Sequence, residues 1–495
     1  PGWEVLDHLG NTVLYRNPEA EAVLSRIGYE KDQLLILKNA AEGDRPVGFV
    51  SFRELRSEEL FGVLKSMELA NAVRRRTSRE VLYITGIHAR EREIHDGEAI
   101  RDPAQLLLAE VITQALEKNC SFAIFAAERG TVSKEAAFAL ERQGFVRPEL
   151  LEEGEKRVIY MVDMHEPLML LHNLETTLKE PFGSSPAVLS AIERNHKKLQ
   201  TAMTKLYPGN LVLSLSSGVM HHRMVDRITA LNGVPGEPLT PRRLGENMCV
   251  PFGKILRGKV VPNTVTKTLH TDKVYEPELD SYAIEAFPYY SPLESQIKTI
   301  RSFDRPVILV DDLVHKADRL QALAPSLKKA GIPVKKVVVG VISGYGRDLM
   351  ETFHLPVESI YSMPNLRQWF VESTLYPFIV GDTVRRRDMK VAGLQPSVNM
   401  ILPYAAPRLS GCSREALYEF SVCCIENSRD LLQVLEAEYR SQFARNLTLS
   451  RLSEAVILPL CPDKGSCMEY DENLAASVYL ENDLEMLGRM KKFMV

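Results

Sequence analysis

Two continuous apolar runs most constrain what the second half of this chain can become. One is "PVILVDDLV" (306–314) and the other "VKKVVVGVIS" (334–343), with a helical stretch between them. Neither alternates apolar with polar residues, so each reads as a strand buried on both faces. That is the habit of parallel sheets covered by helices. "NLVLSL" (210–215), "DSYAIEAF" (280–287) and the helix "LESQIKTIRSF" (293–303) extend the pattern. In the first run the apolar stretch Val307 to Val310 gives way to Asp311 and Asp312, and the expectation is that the strand ends there and a polar loop leads into a helix. A doubled carboxylate beside a buried strand costs free energy unless something binds it. In open parallel sheets, ligands gather beyond the carboxyl ends of the strands.

With 495 residues, the chain has room for about three domains. It is 45% hydrophobic and 25% charged with net charge -4, the profile of a soluble globular protein, without the basic field that nucleic-acid binding asks for. No apolar run approaches the roughly 18 residues of a membrane span, and no signal peptide is expected. Seven cysteines, none in a CxxC pair, read as reduced thiols of a cytoplasm-like compartment. Cys461 and Cys467 in "LCPDKGSC" are two potential ligands where a structural zinc takes four, and no residue set is assigned to a metal. The first residue is not Met, as expected of a piece of a longer chain with upstream domains.

Residues 1–165 alternate short strands and helices. "LLILKNA" (34–40) and "VGFVSFREL" (47–55) read as strands around the turn "AEGDRP", and "EELFGVLKSMELANAVRRR" (58–76) as one helix. "REVLYITGIHA" (79–89) is a strand. The next helix (101–118) has Asp102 as N-cap and Pro103 in its first turn. "CSFAIFAAE" (120–128) is a strand, "SKEAAFALERQGF" (133–145) a helix capped by Ser133 and stopped by Gly144, and "RVIYMVDM" (157–164) a strand.

This order, strand, loop, helix, strand, helix ending "ALERQGF", strand, resembles the GNAT N-acyltransferases. The resemblance implies a mixed sheet with helices, use of acetyl-CoA, and a pyrophosphate held at the N-terminus of the 101–118 helix, where free N–H groups favour anions. It implies acyl-CoA contacts at Ile87, His88, Gly97 and Ala104, with His88 or His95 as candidate bases. The loop "REREIHDGEAIRD" lacks the family's Gln/Arg-x-x-Gly-x-Gly/Ala pattern, and Leu140 stands where the family often has a tyrosine acid.

"VILVDDLVHKADRL" resembles the signature of type I phosphoribosyltransferases, in which two acids contact the ribose hydroxyls of phosphoribosyl pyrophosphate and the following loop holds phosphate. The resemblance assigns the acids to Asp311 and Asp312, with Mg²⁺ bridging the pyrophosphate. The loop here has neither Gly nor Thr, and His315, Lys316 and Arg319 would supply charge instead. Three further segments are expected at the same edge. "LSLSSGVMHHRMVDRI" offers Ser216, Ser217 and Gly218; "SGYGRDLM" offers Gly344, Gly346 and Arg347; "CVPFGKILRGKVVPNTVTKTLHT" offers Lys254, Arg257 and Lys267.

Taken together, "MCVPFGKILRG", "PNTVTKTLHT", "PNLRQWFVESTLYPFIVGD" and "NLAASVYLENDLEMLGRM" resemble the C-terminal portion of multidomain cytidyltransferase-related proteins of anaerobic Gram-positive bacteria. The expected architecture is α/β: a GNAT-like domain (1–165), a helical linker (166–208), a phosphoribosyltransferase-like parallel-sheet domain (209–405) and a helical tail (406–495) packed on it. The expected function is a nucleotide- or ribose-phosphate-related transferase binding a phosphorylated small molecule at Asp311–Asp312. The alternatives are an acyl-CoA-dependent N-acyltransferase and a non-catalytic nucleotide sensor or scaffold. The apolar face Leu417, Phe420, Cys424, Leu431 and Leu435 would pack on its own domain, bind a partner or support a homo-oligomer.

Overall fold

The computed structural model describes residues 5–6, 32–39, 45–89, 102–128, 130, 132–148, 157–241, 243–385, 394–463 and 470–492. His95, Gly97, residues 41–44 of the turn "AEGDRP" and Cys467 lie outside them. The chain is a mixed α/β protein that divides into two compact units, one of residues 1–170, 203–215 and 363–369, the other of 171–202, 216–362 and 370–495.

The first unit is built on β1 (Val5–Leu6), β2 (Gln33–Asn39), β3 (Arg45–Leu55), α1 (Leu60–Leu64), α2 (Met67–Arg76), β4 (Val81–Ala89), α3 (Pro103–Glu117), β5 (Phe122–Glu128), α4 (Lys134–Arg142), β6 (Arg157–His172) and β7 (Asn210–Ser216). Its sheet runs β1-β2-β3-β4-β5-β6, and β7 and the strand Gln368–Val371 both pair with β6. The β2–β3, β3–β4 and β5–β6 pairs are antiparallel, and β4–β5 is parallel. Alternate residues Val81, Tyr83, Phe122, Ile124 and Ala126 join Leu60, Leu64, Leu69 and Val73 in one core, as the two-residue strand period requires. The expected single helix over 58–76 is two, because Lys65 is left-handed (φ 55°) and Ser66 caps α2, its hydroxyl accepting from the Leu69 N–H.

The second unit contains α5 (Pro186–Thr204), α6 (Ser217–Leu231), β8 (Met248–Pro251), β9 (Val265–Thr266), β10 (Thr271–Tyr275), β11 (Tyr282–Ala286), α7 (Leu293–Arg301), β12 (Val307–Val314), α8 (Asp318–Lys329), β13 (Val334–Ser343), α9 (Gly344–Thr352), β14 (Val357–Met363), α10 (Arg414–Phe443) and α11 (Ala476–Lys491). One sheet runs β14-β13-β12-β8-β9, with parallel β13–β12, β12–β8 and β8–β9 pairs. Its core includes Phe252, Val307, Leu309, Leu320, Leu323, Val337 and Val339. A second sheet joins β11 and β10 to Asp382–Val384, Gln395–Val398 and Leu460–Pro462.

Three expectations change. Segment 166–208 is not a linker: β6 runs on to His172, because Leu168 to Leu171 are buried strand residues after the polar "DMHEP", and α5 is packed in the second unit. "NLVLSL" opens no new sheet but joins that of the first unit as β7. "DSYAIEAF" supplies β11, which pairs antiparallel with β10 in the mixed sheet, so 209–405 is not one parallel sheet. The tail's Phe420, Cys424, Leu431 and Leu435 are buried within their own unit, where Asn195 and Asn427 exchange side-chain-to-carbonyl hydrogen bonds of 2.9 and 3.0 Å between α5 and α10.

Candidate functional site

The two aspartates do not end their strand. β12 continues through them to Val314, pairing Leu313 with Val341 and Val314 with Ile342 on β13. Asp311 and Asp312 are 4% and 7% exposed, and the chain itself meets their charge. Asp312 accepts the backbone N–H groups of Lys254 (2.6 Å) and Ile255 (2.9 Å). Asp311 Oδ1 accepts the N–H of Asp312 and the Arg319 guanidinium, both at 2.8 Å. Gly253 allows this approach, since a Cβ there would strike both carboxyls. Burial pushes the Asp311 carboxyl up to about 6; Arg319 opposes that and Asp312 adds to it. Burial alone would lower the Arg319 pKa, but Asp311 and Asp312 outweigh it and raise it. Three of the four carboxylate oxygens thus accept hydrogen bonds from the chain itself.

Beside them lies a cleft of about 140 Å³ lined by Leu171, Asn173, Thr176, Ser217, Gly218, His221, Lys254, Ile255, Lys259, Asp312 and Val371. It brings together Ser217, Gly218, Lys254 and Asp312 of the expected phosphate set. Ser216 caps α6, its hydroxyl turned to the Val219 N–H. The helix N-terminus and two lysines give this wall positive character. Burial lowers the pKa of Lys254, and burial, then Lys259, lowers that of His221. At about 140 Å³ the cleft is smaller than the roughly 300–1,000 Å³ of ordinary ligand pockets.

The other expected residues do not join it. His315 Nδ1 lies 2.8 Å from the Ser343 hydroxyl. The Lys316 side chain is exposed, while its carbonyl accepts from Gln321. Arg257 donates to the Thr271 carbonyl at 2.8 Å and lies over the Phe287 ring. Lys267 is exposed, and exposed Arg347 donates to Ser362. Gly344 starts α9, and Gly346 is a packing requirement, because a Cβ there would strike the Val314 carbonyl oxygen. Sequence reasoning missed Asn173, Thr176 and Lys259, none of which sits in a recognisable pattern.

In the first unit, the parallel β4–β5 register covers Leu82–Ile84 against Ala123–Phe125. Beyond it the described residues of the two strands separate. Gly86 to Ala89 pair with β3 only, and Ala126 to Glu128 with β6 only. A bulge in the β3–β4 ladder, between Ser51 and Phe52, lies where the strands part. The start of α3 covers this end of β4, since a Cβ on Gly48 would meet the His88 carbonyl, Ala89 and the Leu107 side chain. Ile87 and His88 are on the separated half of β4, with His88 exposed and its ring 5.4 Å from that of Phe49. Ala104 is buried in the first turn of α3. Asp102 takes up part of that helix end: it accepts from the Gln105 N–H at 3.1 Å and pairs with Arg142 at 2.5 Å.

No family model matches the chain, and no curated protein does. Among solved structures, it is similar to FeeM, an N-acyl amino acid synthase from uncultured soil microbes. The identity is 17%, covering 30% of this chain and 80% of that one, at a TM-score of 0.20, too distant a likeness to carry an argument about activity. No helix among the described residues is long and apolar enough to cross a membrane.

Proposed function

We propose that the first unit is a transferase of acyl groups from an acyl-CoA donor to an amine. The observation that carries this reading is the parting of β4 and β5 beside the start of α3. Two parallel strands that stop pairing turn unmatched N–H and C=O groups toward one another. An extended thioester arm with amides of its own can fill that gap as a strand would. The amine would attack the thioester carbonyl, the thiolate would leave, and N–H groups of the open edge would stabilise the oxyanion. Ile87 and His88 belong to the donor wall, with His88 the candidate base. At the helix end Asp102 opposes a pyrophosphate, and Arg142 offsets its charge.

A second reading rests on the cleft of the second unit, where Lys254, Lys259 and the start of α6 suit the phosphate of a phosphorylated small molecule. One experiment addresses both: thermal unfolding of the full chain with acyl-CoA donors of increasing chain length, with Mg²⁺–phosphoribosyl pyrophosphate and with inorganic phosphate, alongside thiol release from the donors. A ligand present at 100 times its Kd stabilises by about 2.7 kcal/mol. Acyl-CoA stabilisation with amine-dependent thiol release is the expected result. Absence of both with every donor would overturn the first reading, and indifference to both phosphate ligands would overturn the second.

A further inference from the structure

We infer that the second unit holds a divalent transition-metal ion on His172, His196 and Glu372. The three come from the end of β6, from α5, and from the 3-10 turn Glu372–Leu375, and their ligand atoms all lie within 4.8 Å of one another. Two ring nitrogens converge on one carboxylate oxygen, His172 Nδ1 and His196 Nε2 each 2.8 Å from Glu372 Oε2. Only the first is aligned as a hydrogen bond; buried His196 Nε2 has no hydrogen-bond partner despite its proximity. Three ligand atoms this close together, one of them a buried ring nitrogen that makes no hydrogen bond, can share a single ion.

The surroundings fix this arrangement in advance. Glu372 is fully buried, and its second oxygen accepts from the Tyr376 hydroxyl at 3.2 Å. Reciprocal hydrogen bonds of 3.0 Å tie Asn173 to Ser373, side chain to side chain and carboxamide to backbone N–H. They lock the residues that follow His172 and Glu372. Such supporting contacts are characteristic of metal sites. Around a tetrahedral zinc-class ion with bonds of about 2.0–2.2 Å, neighbouring ligand atoms sit about 3.3 Å apart, so loading needs the nitrogen–oxygen pairs to open by about half an ångström. Two imidazoles and a carboxylate select zinc, cobalt or nickel over calcium or magnesium, which prefer oxygen shells. Three protein ligands leave one position for water.

The test is a titration of the chelator-treated full chain with Co²⁺, read by visible absorption, with competition by Zn²⁺ and metal content after dialysis. One equivalent per chain is expected, together with a rise in melting temperature. Glu372→Gln and His196→Gln should each raise Kd on the order of 100-fold, and Tyr376→Phe, which keeps all three ligands, about 10-fold. Should either ligand variant fail to fold, Tyr376→Phe carries the comparison. No stoichiometric uptake by the wild-type chain, or uptake unaltered in the folded variants, would overturn the assignment, the latter by moving the ion to other residues such as the cysteines.

Discussion

Replacing Arg319 by Met tests whether the paired aspartates are held by the chain or await a ligand. The guanidinium donates to Asp311 at 2.8 Å, and the two side chains are 23% and 6% exposed. Even with Arg319 present, burial leaves the Asp311 carboxyl at about 6 against an ordinary 3.8. The native state therefore binds more protons than the unfolded state between these values. Stability from this group is fully present below the unfolded pKa and lost as pH rises through about 6. Removing the guanidinium strands a buried charge, which costs about 3–5 kcal/mol once Asp311 is ionised. It also raises the carboxyl further, so the loss of stability with pH extends above 6. At pH 5 Asp311 is mostly protonated in either protein, and the deficit shrinks toward that of lost packing. Urea unfolding of the two proteins at pH 5 and 8, followed by far-ultraviolet circular dichroism, measures the difference. A deficit equal at both pH values, or below about 1 kcal/mol at pH 8, would refute the internal ion pair.

Gly346→Ala should destabilise the second unit by about 1–3 kcal/mol, because the new Cβ meets the β12 backbone at Val314 rather than a side chain able to turn away; denaturant midpoints measure it, and an unchanged midpoint would contradict the close approach. Asn195→Ala removes one half of the buried exchange between α5 and α10 and should cost about 1–3 kcal/mol. A double-mutant cycle with Asn427→Ala should return a coupling well above experimental error, and additive losses would show that the exchange contributes nothing as a pair.

The helix ends of the first unit were legible because capping chemistry is local. Asp102 and Ser133 each accept an N–H three residues on, and Gly144 takes φ +89°. The break between α1 and α2 was missed: Leu60, Val63 and Leu64 keep one helical spacing and Leu69 and Val73 another, and the five-residue step between them spans the left-handed Lys65 where the helix is interrupted. β6 was cut short for the opposite reason, its buried second half hidden behind polar residues and a proline. That β12 runs on past the aspartates to Val314 was not legible either. Buried acids need partners, and the partners were the Lys254 and Ile255 amides, 57 or 58 positions away. The His172–His196–Glu372 cluster spans 200 positions between its ends, so no spacing could announce it.

The amides held by Asp312 bear on where recognition of an anion would come from. If Asp312 gripped ribose hydroxyls, its oxygens would face the cleft as acceptors. Asp312 does line the cleft, and both its oxygens also accept amides of the segment that carries Lys254, so the carboxylate orders that segment and sets the lysine on the cleft wall. On the second reading proposed above, attraction for phosphate would come from Lys254, Lys259 and the amides at the start of α6, with the acid acting through the backbone it holds. Loss of Asp312 would in that case weaken anion binding by disordering Lys254, and it would lower stability in step, because the same two hydrogen bonds serve both ends. A ribose-gripping acid would behave otherwise: its replacement by Asn would reduce affinity for a ribose phosphate and leave affinity for inorganic phosphate and the unfolding midpoint where they were.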